Sequence, residues 1–144
     1  MDSNKTIGYR IVLCRERSAE VRINLGNTVS ESAVRFKFGC YFHTIPAGRL
    51  SITIISELMV MEQTVVKVES ETVFELSPFD GAFDISNTGK IVDKIGIMPT
   101  LFSLAYGSTR GMMAIRTAGT ALANFPLPIV DAMEVTAKMQ QNNV

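Results

Sequence analysis

The sequence predicts an α+β domain in which a four-stranded antiparallel sheet is followed by a long helix and a short C-terminal helix. Residues 34–42 alternate strictly between apolar and polar side chains, which is typical of a strand with one covered face. Short links join the four β-like runs, so neighbouring strands should pair antiparallel. Apolar residues at helical spacing appear only after residue 97.

The four strands are predicted at residues 9–23, 34–42, 50–60 and 64–76. The first is long or broken and ends at a turn signal at 25–27. In the third, alternation slips near Ile54 and Ile55, which indicates either a bulge or burial on both faces. In the second, the residues that share the apolar face are Val34, Phe36, Phe38, Cys40 and Phe42.

Residues 77–89 are rich in turn formers and are predicted to form a loop with the hydrophobic anchors Phe83 and Ile85. Pro99 suits the first turn of a helix, and the helix is expected to continue to Leu122, before the Phe125-Pro126 stop. A broad apolar stripe is predicted on it, formed by Leu101, Leu104, Ala105, Ser108, Met112, Ile115, Gly119 and Leu122. Residues 129–139 can form a second, amphipathic helix.

Two glycines inside the long helix, Gly107 and Gly111, each cost about 1 kcal/mol relative to alanine. Close approach of a second helix would offset this cost, because missing side chains let two backbones pack tightly. A helix lying flat on its own sheet also tolerates glycine, so the spacing alone leaves both interpretations open.

Length and composition indicate a single domain spanning residues 1–144, with about 1–6 and 140–144 frayed. An apolar share of 47% is high for a monomer and favours an oligomer. Fourteen basic and fourteen acidic residues cancel, which argues against nucleic-acid binding. The sequence has neither a signal peptide nor a run long enough for membrane insertion, so a cytoplasmic protein is expected.

The sequence contains few of the residue groupings that catalysis requires. We expect that the protein is not an enzyme and that it binds neither a metal nor a cofactor. His43 is the only histidine, and no Ser or Asp lies near it in sequence. Asp80, Asp84 and Asp93 are too widely spaced for a calcium loop. Cys14 and Cys40 show no metal-ligand spacing and are expected to be reduced structural thiols.

The chain contains eight methionines, eight phenylalanines and no tryptophan. Methionine and phenylalanine side chains can pack against apolar partners of varied shape. Several of these residues, and Leu127, fall in predicted connecting segments rather than in strands or helices. The composition therefore favours a surface that binds varied apolar segments.

With these elements placed, the chain resembles the bacterial export chaperone SecB. The resemblance is carried by residues 73–76 (VFEL), by 98–106 (MPTLFSLAY) with Arg110 following, and by 124–126 (NFP) and 128–133 (PIVDAM). Element order agrees over about the whole chain, whereas the specific residues are confined to the second half.

The resemblance implies an ATP-independent holdase that assembles as a homotetramer, a dimer of dimers, and binds unfolded preproteins in apolar grooves. It implies client-binding residues at Val34, Phe36, Phe38, Phe79, Phe83, Phe125, Leu127 and Met133. It places the long helix between the dimers, with interface residues Leu101, Leu104, Gly107, Ser108, Gly111, Met112 and Ile115.

The charge pattern departs from that family, whose members are acidic and dock the SecA motor through carboxylates. Here the net charge is zero and Lys67 occupies a usually acidic position, which argues against ordinary SecA docking. A dedicated chaperone of one partner, such as an antitoxin, is therefore an alternative to general export. A ligand-binding or structural oligomer is a further alternative. A hot-dog thioesterase is disfavoured because the helix follows the strands and residues 101–122 contain no Asp or Glu.

Overall fold

The computed structural model describes residues 6–22 and 33–142, and side chains as far as residue 138. The turn predicted at 25–27 and most of the residues predicted to fray lie outside these ranges. The elements are β1 (Gly8–Val21), β2 (Val34–Ile45), β3 (Arg49–Val60), β4 (Gln63–Ser77), α1 (Phe79–Ala82), β5 (Phe83–Ile85), β6 (Ile91–Asp93), α2 (Met98–Thr117), a 3₁₀ turn (Ala121–Asn124) and α3 (Ala132–Asn142).

The four long strands form one antiparallel sheet in the order β1-β4-β3-β2, which confirms the predicted sheet. Strands β1 and β2 are therefore its two edges. Met61 and Glu62 form the tight turn between β3 and β4 with φ values of 51° and 68°. Positive φ at both turn residues matches the right-handed twist of the strands that the turn joins.

One face of the sheet and helix α2 form the core. The side chains that point from the sheet towards α2 include Leu50, Ile52, Ile54, Val68 and Phe74, all fully buried. Helix α2 contributes Met98, Leu101, Phe102, Ala105 and Met113. Two buried hydroxyls meet in this interface, where Ser70 and Thr109 lie 2.7 Å apart, so the polar groups are satisfied within the core.

The slipped alternation in β3 reflects burial on both faces. Residues 50–54 are all buried, because Ser51 and Thr53 are covered on the outer face while their neighbours point into the core. The irregular register with β4 lies further along, between Leu58 and Met59, rather than at Ile54 and Ile55.

Helix α2 is shorter than predicted, and the predicted single stripe is wrong. The helix ends at Thr117, and Gly119 with φ of 78° turns the chain away, as left-handed glycines do at helix ends. Leu101 and Ala105 face the sheet, whereas Leu104 and Ile115 are exposed on the opposite side. Leu122 is buried, but it lies in the 3₁₀ turn.

The predicted loop at 77–89 contains structure of its own, namely α1 and the hairpin of β5 and β6. The backbone of Lys94 donates to Ala82 O at 2.8 Å, and its ammonium donates to Asp80 O at 2.7 Å. The Asp93 carboxylate then accepts hydrogen bonds from the amides of Ile97 and Met98 at 3.0 and 2.7 Å. The hairpin therefore fixes and caps the start of α2.

Candidate polypeptide-binding site

Residues 124–133, which run from the last residue of the 3₁₀ turn into the first turn of α3, border three clefts. A cleft of about 310 Å³ lies between Val34 and Phe36 of β2 and residues 124–126. A second, of about 160 Å³, lies between α2 and Ile129 and Val130. A third, of about 440 Å³, lies between the first turns of α2 and residues 131–133. The same short segment thus forms a wall of all three.

Three aromatic rings form a cluster between β2 and the 160 Å³ cleft. Phe102 and Tyr106, one turn apart on α2, are stacked with ring centroids 5.6 Å apart. Phe38 of β2 contacts both, at centroid distances of 6.4 and 5.5 Å. Aromatic pairs of this kind stabilise the fold beyond the contribution of their buried surface area. Two of the three rings, Phe102 and Tyr106, line the cleft.

Two side chains of α2 hold the 124–133 segment by its backbone. The Tyr106 hydroxyl donates to Pro128 O at 2.7 Å, and Arg110 Nε donates to Leu127 O at 3.1 Å. Burial raises the pKa of Tyr106, which the Arg110 charge opposes in part, so the hydroxyl keeps its proton and remains a donor. Leu127 is fully buried beneath these bonds and anchors the segment.

The outer side of the segment exposes large apolar side chains. Ile129 is 84% exposed and Met133 is 72% exposed, beside the two clefts on α2. Asp131 stands between them and caps α3, accepting from the Met133 amide at 3.0 Å. The segment therefore presents two large apolar side chains to solvent on a backbone that hydrogen bonds from α2 hold in place.

The structure divides the predicted client-binding residues into separate groups. Val34, Phe36 and Phe125 line one cleft, Met133 lines another, and Phe38 belongs to the aromatic cluster. Phe83 and Leu127 are only 2% exposed, so their assignment to a client surface is corrected: both are core anchors.

Phe79 lies at the other end of the sheet. It packs beside the β2–β3 turn, 3.5 Å from the position that a Cβ at Gly48 would take, and its ring is 5.5 Å from that of Phe83. Val34 begins β2 at the opposite end, and β2 from Val34 to Ile45 spans about 36 Å at ~3.3 Å per residue. One cleft in one copy of the chain does not reach both places.

Sequence reasoning missed Phe102, Tyr106, Ile129 and Val130 as lining residues. Phe102 and Tyr106 carried a signal, because residues four apart share a helix face and both lie in the run 98–106. Ile129 and Val130 follow Pro128 in a loop, where no periodicity distinguishes an exposed side chain from a buried one.

The predicted interface residues fall mostly on the exposed side of α2. Leu104, Gly107, Gly111 and Ile115 are exposed, and within residues 6–22 and 33–142 no atom beyond the chain neighbours and the local helix backbone lies within 4 Å of the position that a Cβ would take at either glycine. Ser108 and Met112 are half-buried. Leu101 is fully buried against the sheet, so its place in a surface interface is corrected.

The outer face of the sheet carries a ladder of ion pairs between β1 and β4. Arg10 contacts Glu75 at 3.0 Å, Arg15 contacts Glu71 at 2.8 Å, and Arg17 lies 3.5 Å from Glu69. Hydrogen bonding from Arg10 lowers the pKa of Glu75. The arginines of β1 thus neutralise the carboxylates of β4.

Glu71 is the most buried of these carboxylates. Burial acts to raise its pKa, but hydrogen bonds from Ser51 and Arg15, and the charges of Arg15 and Arg17, outweigh it and lower the pKa. The Ser51 hydroxyl donates at 2.8 Å. Glu71 therefore remains ionised and paired at neutral pH.

Lys67 belongs to a row of alternating charges that crosses all four strands. It lies in register with Glu20 of β1 on one side and Glu57 of β3 on the other, and Glu57 in turn faces Lys37 of β2. Like charges directly opposite each other destabilise a sheet. An acid at position 67 would stand between two carboxylates, so lysine fits this position.

Within residues 6–22 and 33–142, no helix is long and apolar enough to span a bilayer. The same described part holds no group of three or more metal-ligating side chains. Cys14 and Cys40 are free thiols, and burial raises the pKa of Cys40 to about 12.

No protein-family model matches the sequence, and no curated protein matches it. Among solved structures, the chain is similar to the SecB-like chaperone Rv1957 of Mycobacterium tuberculosis, in complex with a ChAD peptide from the Rv1956 HigA1 antitoxin. The two are 15% identical with a TM-score of 0.50, and the match covers 85% of this chain and 90% of that one. The chain has a SecB-like fold, which confirms the fold that the resemblance implied.

Proposed function

We propose that this protein is a non-enzymatic, ATP-independent chaperone that binds non-native polypeptide segments at the clefts around residues 124–133. The observation that supports this most directly is the pair Ile129 and Met133, exposed on an anchored backbone beside two clefts. The SecB-like fold supports the same function.

Shallow clefts suit a holdase. Each is large enough for one or a few side chains, and apolar burial contributes roughly 25 cal/mol per Å². Several such contacts along one client multiply through effective concentration, whereas a client that folds buries its own apolar surface and leaves. Neither a cofactor nor a covalent step is needed.

We propose further that the protein works in the cytoplasm as a homotetramer, a dimer of dimers, with the exposed side of α2 between the dimers. Among the residues that the structure describes, no neighbouring group packs within 4 Å of where a Cβ at Gly107 or Gly111 would lie, so no such contact offsets their cost to the helix. A second copy packed against this face would explain both glycines.

A dedicated chaperone of one partner, such as an antitoxin, is the second candidate. The ion-pair ladder favours it over export through SecA, because the β4 carboxylates that could attract a basic docking surface are held by Arg10, Arg15 and Arg17. The peptide bound to the SecB-like neighbour also comes from an antitoxin.

The direct test is suppression of aggregation of an unfolded client without ATP. We expect the wild type to suppress it and the Ile129→Asp/Met133→Asp variant to lose most of this effect, because both side chains are exposed and dispensable for the core. Ile85→Asp/Val92→Asp is the matched control, since it also adds two carboxylates at exposed apolar positions, on the β5–β6 hairpin, and neither residue lines any of the three clefts. Equal suppression by all three proteins would rule out this site.

A second measurement separates the two candidates. A general export chaperone should bind several unrelated unfolded proteins with similar affinity and should bind SecA in calorimetry. A dedicated chaperone should bind one protein, such as the product of an adjacent gene, at least tenfold more tightly than the others. Light scattering tests the assembly, with four times the 15.8 kDa of one chain expected.

A further inference from the structure

We propose that the free edge of β2 selects client segments in which acidic residues alternate with apolar ones, and that Arg35 and Lys37 determine this specificity. This inference rests on the proposed chaperone function and names the chemistry of the client. The occupant is an extended, acidic peptide that pairs with β2 as an added strand.

Strand β2 lies at one edge of the four-stranded sheet. Within residues 6–22 and 33–142, β2 pairs with β3 on one side and with no strand on the other. An edge strand presents backbone donors and acceptors at every second residue, and an extended peptide can pair with them. The peptide would lie beside the 310 Å³ cleft, which Val34 and Phe36 already line.

Side chains of an added strand point to the same two faces as those of β2, with a period of two residues. On the inner face they would meet Val34, Phe36 and Phe38, which pack against the core and require apolar neighbours. On the outer face they would meet Arg35 and Lys37, both exposed. Strand β2 has no acidic residue, whereas β1, β3 and β4 each have at least one.

The row of alternating charges on the outer face indicates which charge an added strand should place beside β2. It runs Glu20, Lys67, Glu57, Lys37 from β1 to β2 and ends at the free edge on a lysine. Because opposite charges across neighbouring strands stabilise a sheet and like charges destabilise it, a fifth strand should place a carboxylate beside Lys37.

Arg35 is available for the same role. Its partner is Glu62 at 3.2 Å, but the two side chains are 70% and 73% exposed. Ion pairs this exposed contribute little, so exchange of Glu62 for a client carboxylate costs little.

A second copy of this chain fits the edge less well than an acidic peptide. The antiparallel register that sets Phe36 of one copy opposite Phe36 of the other also sets Arg35 opposite Lys37, on both sides of the symmetry axis. Four cations would then face one another across the new pair of strands, which is unfavourable.

The test uses three labelled peptides with the same apolar residues at alternate positions and Glu, Ser or Lys between them, titrated into the full chain. We expect the Glu peptide to bind roughly two- to tenfold more tightly than the Ser peptide, from two cross-strand charge pairs, and the Lys peptide to bind most weakly. The Arg35→Gln/Lys37→Gln variant should lose this preference and bind the Glu and Ser peptides equally.

The control variant is Arg22→Gln/Lys90→Gln, which also removes two positive charges, but at positions outside β2. It should keep the preference for the Glu peptide. A second series methylates single backbone nitrogens of the Glu peptide. An added strand should lose binding on methylation at every second position only, and uniform effects would refute strand pairing. The preference should also weaken in high salt.

The outcomes separate this inference from the proposed function. If the three peptides bind equally, or the Lys peptide binds best, while client aggregation is still suppressed, the acidic specificity is refuted and the chaperone function stands. If neither peptide binding nor suppression of aggregation is seen, both proposals fail.

Discussion

The ion pair between Arg15 and Glu71 should make a measurable contribution to stability, and Glu71→Gln isolates it. One carboxylate oxygen accepts from Arg15 Nε and Nη2 at 3.0 and 2.8 Å, and the other accepts from Ser51 at 2.8 Å. Hydrogen bonds to charged groups contribute ~1.5–3 kcal/mol, and Arg15 is 54% exposed, which reduces the charge contribution. We expect a loss of about 1–2 kcal/mol at neutral pH.

Urea unfolding at one fixed protein concentration measures this loss, because assembly also contributes to stability. With a slope of ~2 kcal/mol per M, the midpoint should fall by about 0.5–1 M. Glu62→Gln is the matched control: both side chains of its pair with Arg35 are at least 70% exposed, and the midpoint of this variant should scarcely move.

The loss should depend on pH with a definite sign. The pKa of Glu71 is lower in the folded state than in the unfolded chain, so its stabilising contribution is present in full above the unfolded value of roughly 4.3. As the pH falls through the folded pKa, the wild type loses this contribution and approaches the glutamine variant. A difference that stays constant from pH 7 to pH 3, or equal losses at positions 71 and 62, would refute the reasoning.

Three other substitutions test the assembly, the anchoring of the site and the charged row. Ile115→Asp on the exposed side of α2 should reduce the mass measured by light scattering without lowering the helix content. Tyr106→Phe removes the donor to Pro128 O, costs about 1 kcal/mol, and should speed amide exchange in residues 124–133 more than in the sheet. Lys67→Glu should lower the melting temperature, because three carboxylates would then lie side by side across β1, β4 and β3.

The sheet could be predicted because one face of β2 is covered and the other is not. Burial on one face forces strict alternation between residues 34 and 42, and a period of two is visible without knowing what covers the strand. In β3, where residues 50–54 are buried on both faces, alternation disappears, and sequence alone could not separate this case from a bulge.

The face of α2 that packs on the sheet could not be assigned for a related reason. The helix has apolar or small side chains all round: Leu101 and Ala105 face the sheet, and Leu104 and Ile115 face away. When two sides of a helix are apolar, the helical period does not distinguish between them. The choice is made by long-range packing, such as the contact of Thr109 with Ser70, 39 residues away along the chain.

In the loop of the candidate site, too, the sequence does not show which apolar residues are buried and which are exposed. Phe125 and Leu127 looked alike in the sequence, yet Phe125 lines a cleft and Leu127 is buried. The difference depends on which backbone carbonyls Tyr106 and Arg110 hold, and these are tertiary contacts across 17–22 residues. Composition indicated an apolar binding surface, but only the fold determines which of its members are exposed.

Net charge led to an expectation about the class of partner but to none about where on the surface a partner would bind. A total of zero is compatible with a featureless surface, whereas the described residues segregate their charges by strand. The β1 arginines neutralise the β4 carboxylates on the outer face, and β2 keeps two exposed cations at a free edge beside the 310 Å³ cleft. Because screened surface charges act over about 10 Å, a partner that reaches that edge meets a basic strand whatever the total charge is. Recognition should therefore depend on the pattern of the client segment rather than on its overall charge, and peptides of equal charge but shuffled alternation should bind more weakly.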